Sequence, residues 1–114
     1  MPRVKFQTLT EQMYYVLLCL HEECYGMDIM EKVRLMTGER VLVGSGTLYN
    51  LLEQFAAVGM IRETKAEGRK RCYILTEKGK EALEVEYRRL LLQAEDFQRI
   101  WGRGKGHENG KASV

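Results

Sequence analysis

Leu83, Tyr87, Leu90, Ala94, Phe97 and Trp101 follow one another at separations of 4, 3, 4, 3 and 4 residues, a heptad seam sustained for nearly three repeats. A helix with such a seam has to cover it. The chain has 114 residues, about one small domain, and lies near the size at which a second copy adds stability. The economical cover is the same helix of a second copy in a symmetric dimer. The alternative is a helix folded back on its own domain, because heptad spacing also fits intramolecular packing. Thr76 offers an N-cap before Glu77-Lys78, so the helix is expected over 77–101, its first turn slightly weakened by Gly79. The Gly-rich, polar remainder, 102–114, has too little apolar surface to order itself and is expected to be a disordered tail.

Upstream, the period is again helical. Thr8 and Glu11 fit a T-x-x-E capping signal ahead of a stripe made by Leu9, Met13, Val16, Leu17 and Leu20. Tyr25-Gly26 punctuates, and Ile29, Val33 and Met36 carry a second stripe that stops at Thr37-Gly38. A short β-rich piece, Val41 to Val43, precedes the small-residue turn Gly44-Ser45-Gly46-Thr47. That turn opens a third helix on Leu48, Leu51, Leu52, Phe55 and Val58, closed by Gly59. Between Met60 and Leu75 the apolar residues become sparse and β-compatible, with Glu67-Gly68 as a turn, which predicts antiparallel strands at about Ile61 to Ala66 and Arg71 to Leu75. The fold class expected is mainly α with a small β-hairpin. It divides into an N-terminal arm (1–8), a winged helix-turn-helix (9–76), a C-terminal dimerisation helix (77–101) and the tail.

In this order, the third helix is the one laid into a DNA major groove, and the hairpin reaches the adjacent backbone. Overall charge does not supply the grip: 18 Lys+Arg stand against 16 Asp+Glu, a net +2, so any hold on DNA depends on local clustering. Ser45, Gly46, Thr47, Tyr49, Asn50, Glu53 and Gln54 fall at the start or on the polar side of the third helix. Small hydroxyls and N–H groups at a helix start suit phosphate oxygens. Tyr49 can donate its phenol to a phosphate, and Asn50 and Gln54 match an adenine edge. The plainer reading is that Tyr49 caps the core and the amides are a solvated face. Arg62 to Arg71 hold five basic residues against two acidic ones, with Arg69, Lys70 and Arg71 consecutive after Gly68, which fits a wing pressing on the phosphate backbone or entering the minor groove; the plainer reading of such a charge run is solvated surface. Arg3 and Lys5 in the N-terminal segment could extend that footprint.

Catalysis finds little support. The chain has two His, no Ser/His/Asp set, no phosphate-cradling G-x-x-x-x-G-K and no paired ligand motif, and the serine in Gly44-Ser45-Gly46 lacks the setting of a nucleophile elbow. Cys19, Cys24 and Cys72 match no zinc spacing and are expected as reduced, packed thiols, with a redox switch at Cys24 or Cys72 as the alternative. His21 and Cys24, three apart on one helical face, are an isolated pair. No cofactor and no metal are expected. The longest apolar run, Met13 to Leu20, is too short to cross a bilayer and no secretion signal is evident at the start, so no membrane association is expected and the expected location is cytoplasmic.

The stretches YYVLLCLHEECYGMDIMEKV, GSGTLYNLLEQFAAVGMIRE and GRKRCYILTEKGKEAL resemble the PadR family of bacterial transcriptional regulators, in which YG begins the second helix, GTLY opens the recognition helix and a basic wing runs into LTExG. The likeness spans about Thr10 to Leu83, and the single C-terminal helix resembles the family's shorter subtype. It implies a homodimeric, usually repressing regulator of double-stranded DNA, with Ser45, Thr47, Tyr49 and Asn50 at the DNA and Arg69, Lys70 and Arg71 in the wing. It also implies a small hydrophobic or phenolic effector, for which Tyr87, Leu90, Ala94, Phe97 and Trp101 either line a groove or simply pack the dimer. The family often has Pro where this chain has Ser45 and Asn50, a departure that bears on operator sequence more than on fold. A protein-interaction module built on the winged scaffold, without specific DNA binding, is the rival expectation.

Overall fold

The computed structural model describes residues 8–105; Arg3 and Lys5 of the expected arm, and 106–114 of the expected tail, lie outside the described residues. The elements are α1 (Glu11–Cys19), β1 (Cys24–Tyr25), α2 (Gly26–Met36), α3 (Ser45–Ala57), β2 (Ile61–Glu67), β3 (Lys70–Leu75) and α4 (Glu77–Lys105). A winged unit extends to Glu84, and α4 from Val85 onward belongs to a second unit. Four helices and a small antiparallel sheet in this sequence make a winged helix-turn-helix with a long C-terminal helix.

α1 starts two residues later than its expected signal. Thr10, not Thr8, is the N-cap: its hydroxyl accepts the Met13 N–H at 3.1 Å, and the Met13 sulfur takes the place of the Glu side chain in the reciprocal half of the box. This leaves Leu9 on the extended approach, where it is buried in the core, while Glu11 sits favourably at the positive end of the helix. After α1, Cys24 and Tyr25 form a strand that the sequence reading did not include. It pairs with β3 (Cys24 opposite Tyr73, Tyr25 opposite Cys72), so the sheet is three-stranded in the order β1-β3-β2.

α2 buries Ile29 and Val33 and leaves Met36 exposed. Val41 to Val43 are not a strand. Val41 and Val43 are buried and Leu42 is exposed, the alternation of a strand, but no partner strand runs beside them; Val41 bonds to the Thr37 hydroxyl instead (3.1 Å). α3 buries Leu48, Leu51, Leu52 and Phe55, each worth about 1.5–3 kcal/mol in apolar burial. Gly59 turns the chain with φ 83°.

The first turn of α4 is bonded to the end of α3. Thr76 accepts the Gly79 N–H (3.2 Å) as expected of a cap, and donates to the Gly59 carbonyl (2.6 Å). Lys78 Nζ donates to the Val58 carbonyl at 2.7 Å, neutralising the end of α3. Gly79 is required here, because a Cβ at this position would lie 2.1 Å from the Met60 carbonyl oxygen. Its absent side chain is what lets α4 pass so near. α4 continues through Gly102 to Lys105, past the point where the tail was expected to begin.

Candidate nucleic-acid interface

α3 opens with no side-chain cap and no acidic residue in its first turn. Its backbone ladder starts with the Leu48 N–H on the Gly44 carbonyl (2.9 Å), so the N–H groups of Ser45, Gly46 and Thr47 come before the ladder at the positive end of the helix dipole. Ser45 and Thr47 are exposed beside them. Hydroxyls and amides together make an anion-compatible start.

Along the helix, 3.6 residues per turn place Gly46, Asn50, Glu53 and Ala57 directly opposite the buried stripe, and all four are exposed. Thr47 and Gln54 lie on one flank of this ridge and Tyr49 on the other. A Cβ at Gly26 would approach both Tyr49 and Tyr73 to 3.4 and 3.3 Å, so this glycine seats the two rings at the junction of α2, α3 and β3. Tyr49 nevertheless remains 47% exposed. It does both things the sequence allowed, packing with one edge and facing solvent with the other. The α3 residues given a DNA contact from sequence therefore share one helix but not one row: Asn50 is outermost, Ser45 and Thr47 are at the start, Tyr49 is toward the wing and Gln54 on the far flank.

The wing turns through Gly68 and Arg69, between the paired Glu67 and Lys70. Gly68 has φ 61°, the left-handed first position that a Gly-X hairpin turn uses. Side chains alternate across a strand, so Lys70 and Arg71 leave on opposite faces. Lys70 Nζ lies 5.7 Å from the centre of the Tyr25 ring, and the Tyr25 hydroxyl donates to Glu67 at 3.2 Å. The Glu67 charge, and then this hydrogen bond, hold the Tyr25 phenol above its ordinary pKa. Arg71 donates to Glu63 at 3.1 Å on the face toward α3. Arg69, at the tip, has no hydrogen bond or ion pair among the described residues. The run of three cations is thus one free guanidinium and two whose charges already have local partners. Sequence reasoning missed the braces: Tyr25 and Glu67 on one face, and Glu23, which accepts from the Thr64 hydroxyl (2.6 Å) where the β2 register shifts between Glu63 and Lys65.

Between α3 and the wing lies a cleft of about 560 Å³ with Met27, Tyr49 and Tyr73 in its walls and Glu53, Glu63 and Arg71 among its polar groups. Burial, then the Glu63 charge, raise the Tyr73 phenol above its ordinary pKa, so its hydroxyl stays a protonated donor at neutral pH.

The three thiols are buried. Desolvation pushes Cys19 up to about 11, with the neighbouring Cys24 adding to the rise, and burial raises Cys24 as well. His21 lies in the turn after α1 and Cys24 in β1, so the shared helical face expected for that pair is not formed. No group of three metal-ligating side chains assembles among the described residues.

On α4 the seam divides. Leu83 is buried in the core of the winged unit, whereas Tyr87, Leu90, Ala94, Phe97 and Trp101 are exposed. Phe97 and Trp101 stack with ring centres 5.6 Å apart, and Leu91 and Ile100 widen the apolar row. No described helix is long and apolar enough to cross a membrane.

These features can be set beside known proteins. No curated protein matches the chain. Among solved structures, RosR of Halobacterium salinarum is similar at a TM-score of 0.66 and 23% identity over 89% of this chain and 97% of that one. A PadR-like transcription factor from Bacteroides fragilis aligns at 0.66 and 28% over 78% and 88%. PadR of Bacillus subtilis, solved in complex with operator DNA, aligns at 0.59 and 25% over 66% of this chain and 45% of its own. The profile of the transcriptional regulator PadR-like family matches residues 16–85, from the middle of α1 to the first turns of α4. By that match, over more than half its length, the chain belongs to the PadR-like family of transcriptional regulators.

Proposed function

We propose that this chain is a cytoplasmic DNA-binding repressor that occupies a palindromic operator as a homodimer and is released by a small hydrophobic or phenolic effector. The observation that carries the reading is the pairing of an uncapped, outward-facing α3 with a wing whose tip presents a free Arg69. In this reading the α3 amides, Ser45 and Thr47 hold phosphate, Tyr49 donates to the backbone, and Asn50 and Gln54 face base edges. Arg69, with Lys70 and Arg71 behind it, neutralises backbone charge beside the groove. The operator complex of B. subtilis PadR supports DNA as the partner. The exposed row from Tyr87 to Trp101 supports a second copy as its cover, and two copies related by a two-fold axis call for an inverted repeat. An effector bound in that row acts only if its affinity differs between the two spacings of the α3 pair. No cofactor enters this scheme, and it contains no catalytic step.

One observation favours a second reading, a protein-interaction module: α3 contains neither Lys nor Arg, and the chain's net charge is only +2. Fluorescence anisotropy of labelled DNA from beside the chain's own gene separates the two. A repressor gives saturable binding that survives competition by random duplex. Binding that is blind to sequence and vanishes with modest salt supports the interaction module.

A further inference from the structure

The outward ridge of α3 carries one charged side chain, and it is negative. Glu53 stands in line with Gly46 and Asn50, opposite the buried stripe, and is exposed; no hydrogen bond or ion pair engages it among the described residues. Arg69, Lys70 and Arg71 share its cleft, but none is hydrogen-bonded or ion-paired to it among the described residues, and Arg71 is already bonded to Glu63. A bare carboxylate on the foremost row of a helix that approaches a polyanion is repelled by phosphate, so it needs a donor waiting in the groove.

Resting on the reading of α3 as the DNA-facing helix, we infer that Glu53 is a specificity-determining residue that reads cytosine. In the major groove, cytosine presents its N4 amino group as a donor. Guanine presents two acceptors, thymine an acceptor and a methyl group, and adenine a donor beside an acceptor. A carboxylate only accepts, so cytosine is the base it meets without repulsion. Asn50 lies three residues earlier, about 4.5 Å along the helix axis, close to the roughly 3.4 Å spacing of stacked base pairs. Asn50 and Glu53 therefore address neighbouring base pairs, an adenine and a cytosine. The same carboxylate acts against wrong sites: where no amino group meets it, it stays unpaired next to phosphates. Glu53 thus supplies discrimination to a helix that has no cation, by weakening binding everywhere else.

The test is enrichment of binding sites from randomised duplexes by the full-length chain and by Glu53→Gln and Glu53→Ala, with helicity checked by circular dichroism. The wild type should enrich a half-site with C·G at one position next to A·T. Glu53→Gln should convert that C·G to A·T and leave the other positions unchanged, since Gln offers the donor and acceptor that adenine matches. Glu53→Ala should accept any base there and bind random duplex several-fold more tightly. In the enriched site, replacing that cytosine by 2-pyrimidinone, which lacks the N4 amino group, should weaken wild-type binding on the order of tenfold and leave Glu53→Ala unaffected. A wild-type motif that passes unchanged into both variants, or a 2-pyrimidinone site bound as well as the original, overturns the cytosine assignment alone. A wild-type chain that enriches no sequence overturns the DNA reading and this inference with it.

Discussion

Thr37 ends α2 with a hydroxyl that the interior hides. At 4% exposure it donates to the Val33 carbonyl (2.8 Å) and accepts the Val41 N–H (3.1 Å), so one oxygen closes a helix and fixes the start of the path to α3. The bend between them places Gly38 and Glu39 in the left-handed region, at φ 60° and 68°. For Glu39 that conformation costs about 1–2 kcal/mol, and Arg34, ion-paired to both Glu31 and Glu39, holds it there. Thr37→Val keeps the shape but leaves the buried Val41 N–H without its acceptor. It should cost about 1–3 kcal/mol of stability, measured by urea unfolding; an unchanged midpoint would mean the hydroxyl is dispensable. Gly79 poses the opposite problem. In an open helix, Gly79→Ala would gain about 0.8–1.0 kcal/mol in propensity. Here the new methyl meets a backbone oxygen at 2.1 Å and a Leu75 methyl at 2.8 Å, and that oxygen is held by the Thr76 N–H (3.0 Å). Overpacking of this kind costs about 1–3 kcal/mol and outweighs the propensity gain, so the melting temperature should fall; a rise would show that the joint yields.

At the scale of elements, α3 and the wing divide the labour unequally. Of the three cations that follow Gly68, Arg69 is the one with no hydrogen bond, ion pair or ring contact among the described residues, so Arg69→Ala should remove one phosphate contact and flatten the slope of log K against log salt by about 0.9. Arg71→Ala should flatten it less, because Glu63 already balances that charge; equal effects would show that the ion pair opens on DNA. Helices and the hairpin were legible in the chain because their periods, stops and turn residues are long enough to repeat: the α3 stripe, Thr37-Gly38, Thr76 and Gly68 all stand where the pattern put them. The two-residue β1 was not, since two residues have no period, and with it went the Tyr25 and Glu67 brace. Nor did the pattern separate Thr8 from Thr10, where the burial of Leu9 decides, or reveal that Gly79 is a point of contact, which depends on Met60 arriving from another element. The polar face of α3 was readable as a set. Its ordering into a ridge and two flanks, and the parting of Lys70 from Arg71, follow from which face packs inward and from the strand register.

The whole molecule turns on what covers the row from Tyr87 to Trp101. Leu83, the first seam residue, already belongs to the core of the winged unit, so the seam serves two masters along one continuous helix: its start is committed to the chain's own core, and its exposed length is open to a second copy. Thr76, Lys78 and Gly79 fasten the start of α4 to the segment that leaves α3, within the winged unit. Leu90 and Phe97 stand one heptad apart on the row, and each would bury apolar area worth about 1.5–3 kcal/mol per copy. Changing both to Asp sets unpaired carboxylates against their symmetry mates in a desolvated interface, a cost of several kcal/mol. Neither residue belongs to the winged core, so that unit should keep its fold. The double variant should therefore sediment as a folded monomer where the wild type sediments as a dimer, and should bind a single half-site no better than an unpaired head would. A variant that remains dimeric would place the contact on another surface and break the link between α4 and the spacing of an inverted repeat.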